Sequence, residues 1–63
     1  MENKLDQFES NIKQILENYG IKQNCHSWVE YEKGKKILRD ELPELSLSAY
    51  RIALTVIINW VGV

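Results

Sequence analysis

The neighbouring side chains that join a thiol nucleophile to an imidazole base are Cys25 and His26, at the end of a polar stretch running from Lys22. A thiol becomes a catalytic nucleophile when an imidazole takes its proton and a third group orients the ring. Consecutive residues in a loop rarely face one another, and no motif places an orienting acid, so a structural or incidental role is expected for both. Glu30 with Glu32, and Asp40 with Glu41 and Glu44, offer the carboxylates needed for acid–base work or for a cation. They have neither a glycine-punctuated calcium loop nor a histidine partner, and solvated helix faces account for them. A zinc site needs four ligands, and one cysteine beside one histidine falls short. No phosphate-cradling glycine loop or nucleophile elbow occurs. The expectation is a protein with no catalytic, cofactor-binding or metal site, and not an enzyme.

What remains is the chemistry of recognition. Lys33, Lys35 and Lys36 flank Gly34, and Trp28 and Tyr31 lie just before them. Cations neutralise phosphates and aromatic rings stack on bases, so this patch is the best case for nucleic acid. Glu30 and Glu32 sit inside it and would repel a polyanion. A protein partner is therefore the first reading of the Trp28/Tyr31/Lys33/Lys35/Lys36 patch, and nucleic acid the second. A helix-turn-helix is disfavoured because its last helix would carry polar base-reading side chains, whereas here the last segment is the most apolar.

Three elements would have to position these groups. Leu5, Phe8, Ile12, Ile15, Leu16 and Tyr19 recur at spacings of three and four, which predicts an amphipathic helix over about 4–19. Asn3 is its expected N-cap, Glu9 and Lys13 an i,i+4 pair, and Gly20 its left-handed stop, with Ile21 folding back onto Leu16. Ser27-Trp28-Val29-Glu30 reads as a capping box that opens a second helix over about 28–41, supported by a Glu32 to Lys36 pair. Gly34 is the weak point of that helix. The alternative is an α+β fold with a hairpin over Trp28–Arg39 turning at Lys33-Gly34. Pro43 ends the segment.

Ser46 as N-cap, with Leu45 and Tyr50 as a hydrophobic staple, predicts a third helix over about 47–61. Its β-branched content and a period-two pattern from Ile52 to Trp60 also allow a C-terminal strand. With a helical period, Arg51, Thr55 and Asn59 form one narrow polar stripe and every other face is apolar. The fold expected is all-α, a single three-helix domain over 1–63. Residues 1–20 resemble the opening helix of the small excision-accessory proteins of cyanobacterial mobile elements; the remaining chain departs from that family, and no function is carried over.

Sixty-three residues bury only a small core, and a lone cysteine closes no internal disulfide. Eight basic against nine acidic side chains leave no global field toward nucleic acid or an anionic membrane. The polar opening segment does not read as a secretory signal, so a reducing, cytoplasmic location is expected. The apolar run from Ile52 to Val63 is too short to span a bilayer, and no membrane association is expected.

A third helix that is apolar on nearly all sides leaves part of its circumference open, and an open apolar patch marks an interface. Tyr50, Ile52, Val56, Trp60 and Val63 are the expected interface residues, joining a homodimer. The function expected is a small non-enzymatic protein-binding module that modulates a larger protein, of the kind a phage or mobile element encodes as an inhibitor or adaptor. The alternatives are a nucleic-acid-binding regulator using the lysine patch, and an accessory subunit of a larger complex.

Overall fold

The computed structural model describes residues 4–63, and the Asn3 cap lies outside them. Three helices follow one another: α1 (Lys4–Asn18), α2 (Trp28–Glu41) and α3 (Leu47–Val61). The fold is all-α. Neither the hairpin over Trp28–Arg39 nor the C-terminal strand is present among the described residues.

Both segments satisfy their backbone groups within a helix instead. A strand must find partners for its outward N–H and C=O groups in another strand, while a helix satisfies them within itself. The caps that a helix requires are in place. Ser27 Oγ accepts from Glu30 N–H at 3.4 Å to start α2, and Ser46 Oγ accepts from Ala49 N–H at 3.2 Å to start α3. At the far end of α3, Gly62 sits at φ 84° and its N–H bonds the Ile58 carbonyl. The end of α1 follows its expectation closely. Gly20 takes φ 76°, its N–H reaches Glu17 O, and Ile21 N–H reaches back to Leu16 O at 3.0 Å, which brings Ile21 into the core.

Three local expectations are corrected. The capping box is half formed, because the Glu30 carboxylate turns away from Ser27 and pairs with Lys33 at 3.3 Å. Glu32 pairs with Lys35 at 3.5 Å rather than with Lys36. Glu9 and Lys13 form no ion pair among the described residues. Exposed pairs of this kind are worth little, so small differences in side-chain entropy decide which partner is used.

Gly34 has the opposite role from a weak point. Helix α2 continues through it, and the residue is buried where the three helices meet. A Cβ there would lie 3.0 Å from Ile57 Cγ2 and 3.3 Å from Leu16 Cδ2. The missing side chain lets α2 approach both other helices. Around this point Ile12, Leu16, Ile21, Leu38, Ala53, Val56, Ile57 and Val61 form one buried core, with no buried polar side chain among the described residues. No helix of the described residues is long and apolar enough to cross a membrane.

Candidate functional site

The link from Gly20 to Ser27 is fastened to the C-terminal end of α3. Asn24 N–H donates to Trp60 O at 2.8 Å and His26 N–H to Val61 O at 2.9 Å. Both residues take left-handed backbone angles, φ 56° and 53°, in order to aim those donors. The bonds satisfy helix-end carbonyls that otherwise face water or nothing. From the other direction the Trp60 indole Nε1 donates to Ile21 O at 2.9 Å.

Cys25 and His26 are consumed by this clasp. The half-buried Cys25 packs against the core. His26 Nδ1 lies 2.6 Å from the Gly62 carbonyl, and since a carbonyl only accepts, Nδ1 carries the hydrogen. The two side chains are thus held by different neighbours. No group of three or more His, Cys, Asp or Glu side chains among the described residues is placed to hold a metal ion.

At the start of α2, the expected patch divides into two layers. Trp28 and Val29 stand open at 64 % and 65 % exposure, while Tyr31 is half-buried against the core. The Trp28 and Tyr31 rings meet edge to face, with centroids 5.4 Å apart and planes at 87°, so the inner ring props up the outer one. Lys35 Nζ lies 5.4 Å from the Tyr31 ring centre. A shallow depression lined by Trp28, Val29, Glu32, Lys33 and Lys36 lies beside the exposed Trp28 ring. Lys33 and Lys35 are each tied to a glutamate, whereas Lys36 has no ion-pair partner among the described residues. Val29 belongs to this surface and was not picked out in the sequence. Its position beside Trp28 at the helix start was the available signal.

Of the five expected interface residues in α3 and beyond, Val56 is at 5 % exposure and belongs to the core of a single chain. Its burial needs no second copy. Tyr50, Ile52, Trp60 and Val63 are half-buried. Tyr50 is engaged from α2, its hydroxyl accepting from Arg39 Nε at 3.3 Å with the guanidinium 5.8 Å from the ring centre. The most open apolar residue of this helix is Leu47, at 68 % exposure, which joins Arg39, Leu42, Pro43, Leu45 and Tyr50 around a second depression at the α2–α3 corner. The predicted polar stripe of Arg51, Thr55 and Asn59 is exposed.

The Tyr19 hydroxyl donates to Glu41 Oε1 and joins the end of α1 to the end of α2. That bond to a carboxylate raises the Tyr19 pKa above its usual value, with smaller contributions from desolvation and from the charges of Glu41 and Asp40. No family model matches the chain, and no curated protein or solved structure is significantly similar to it.

Proposed function

We propose that this chain is a small protein-binding module without chemistry of its own, docking through the outer side of α2 onto a larger protein whose activity it modulates. The observation that carries the reading is the exposure of Trp28 and Val29 side by side, at 64 % and 65 %, over an apolar depression. A tryptophan braced by a second ring loses little freedom on binding and removes a large apolar area from water, which is why aromatic anchors dominate interface energetics. The balanced charge around it favours a protein over a polyanion. Glu30 and Glu32 offset two of the three lysines at close range.

A compact inhibitor or adaptor of the type carried by phages and mobile elements fits this size and surface, as does an accessory subunit of a larger complex. The deciding experiment compares the wild-type chain with Trp28→Ala in co-purification from the native host. One host protein retained by the wild type and lost with Trp28→Ala, in a variant with an unchanged far-ultraviolet circular dichroism spectrum, supports the reading. Equal retention by both proteins ends it. Binding to a single-stranded oligonucleotide with a steep loss of affinity in added salt would replace it with the nucleic-acid regulator.

Homodimerisation belongs to this proposal as a separate surface. Ile52 and Val63 stay half-open on α3 and just after it, away from the Trp28 patch in sequence. A second copy covering them leaves α2 free for the larger partner.

A further inference from the structure

The Trp28 depression does not end at α2's first turns. It shares Glu32 and Lys36 with a neighbouring depression that also contains Lys35 and Arg39, and Arg39 in turn forms the edge of the apolar corner with Leu42 and Leu47. One continuous band therefore runs along α2, apolar at both ends and cationic between them. From Val29 to Leu42 the helix rises roughly 20 Å, at about 1.5 Å per residue.

The charge in the middle of the band is available. Glu32, the carboxylate within it, is held by Lys35 at 3.5 Å. Among the described residues neither Lys36 nor Arg39 has a carboxylate partner, and Arg39 meets the hydroxyl and ring of the neutral Tyr50. Glu41 accepts from the Tyr19 hydroxyl and, with Glu44, borders the Leu42 end of the band rather than its middle. Two cations one helical turn apart thus face solvent between two apolar ends.

We infer that the band receives an acidic amphipathic segment of the partner protein: two apolar anchors, one on Trp28 and Val29 and one on Leu42 and Leu47, with carboxylates between them opposite Lys36 and Arg39. A helix of about 13–15 residues spans that distance. Charge complementarity selects this occupant. A neutral apolar segment would leave both cations unmatched and partly desolvated, and a basic one would be repelled. A nucleic acid would meet the cations but would offer no aliphatic group for the Leu42 and Leu47 end. The inference rests on the protein-binding reading and adds the chemistry of the partner.

The test is selection of a displayed library of random 16-residue peptides on the full chain, with a dT20 oligonucleotide assayed in parallel. The expected result is enrichment of peptides rich in Asp and Glu between apolar ends, whose affinity falls about tenfold or more in the Lys36→Glu/Arg39→Glu variant and weakens with added salt. Trp28→Ala separates the two levels of the argument. If enriched peptides lose binding with Trp28→Ala but keep it after the double charge reversal, the acidic occupant is wrong while the docking surface stands. If neither variant changes their binding, or if no peptide is enriched, both readings fall. Tighter binding of dT20 than of any peptide also overturns the inference. Both α2 charges are exposed, so the reversed variant is expected to stay folded, and circular dichroism verifies that before binding is read.

Discussion

At the scale of single residues, two positions have roles that their neighbours in space define. Replacing Gly34 with alanine relieves the helix-propensity penalty of glycine, about 1 kcal/mol, but sets a methyl group 3.0 Å from Ile57 Cγ2. Ile57 is fully buried and β-branched, which restricts its χ1 in a helix, and overpacking of this kind costs about 1–3 kcal/mol. Gly34→Ala is therefore expected to destabilise the chain on balance, by up to about 2 kcal/mol, as urea denaturation would show. The second position is Tyr19. Its pKa is raised chiefly by donating to Glu41, so its folded-state value exceeds the unfolded one and the contact stabilises the fold below the usual tyrosine pKa. That contribution is lost as pH rises through the raised value. In an ultraviolet pH titration Tyr19 should ionise later than free tyrosine, and Glu41→Gln should move it back toward the ordinary value. An unchanged titration in Glu41→Gln would remove the contact from the account.

At the scale of elements, the starts of α2 and α3 and the stops of α1 and α3 follow from residues within a few positions of them. Ser46 caps α3 through a bond to Ala49 N–H at 3.2 Å, and the staple residues Leu45 and Tyr50 line the same depression. Ser46→Ala should lower stability by about 1 kcal/mol, and Ser46→Asp should restore most of it by supplying an acceptor and a favourable charge at the helix N-terminus. Thermal denaturation of the three proteins measures both. A silent Ser46→Ala would mean that α3 is held by packing alone. The link before α2 obeys a different rule, since its donors are satisfied by carbonyls more than thirty residues away at the end of α3.

At the scale of the whole molecule, one chain closes its own core. The Cα radius of gyration is 11.0 Å, close to the roughly 11 Å expected of a compact chain of this length. Folding and any dimer are thereby separable. Val56→Asp would bury an unpaired charge, a change on the order of 3–5 kcal/mol and comparable with the entire stability of so short a domain. It should unfold the monomer. Ile52→Glu, at a half-open position, should instead leave the helical spectrum intact and lower the sedimentation coefficient at high concentration. Analytical ultracentrifugation reads that outcome. A wild-type chain that sediments as a monomer at every concentration would withdraw the homodimer and leave the α2 surface unaffected.

The amino-acid sequence by itself marked three helical segments and their approximate limits, the glycine stop after α1, the two serine caps and the polar stripe of Arg51, Thr55 and Asn59, while leaving a hairpin over Trp28–Arg39 and a C-terminal strand open. Those signals act over three or four residues, which is the range of helical hydrogen bonds and capping contacts. It also placed Trp28 and the lysines on one helix. Only the tertiary structure decided which apolar residues of α3 are interior, because Ile52 and Val56 are alike in chemistry and are told apart by what packs beside them. It likewise decided that Gly34 is a point of close helix approach, that Lys36 is the lysine of the α2 patch left without a carboxylate among the described residues, and that His26 is spent on the Gly62 carbonyl. Each of those depends on distances between segments far apart in the chain, and no local pattern carries them.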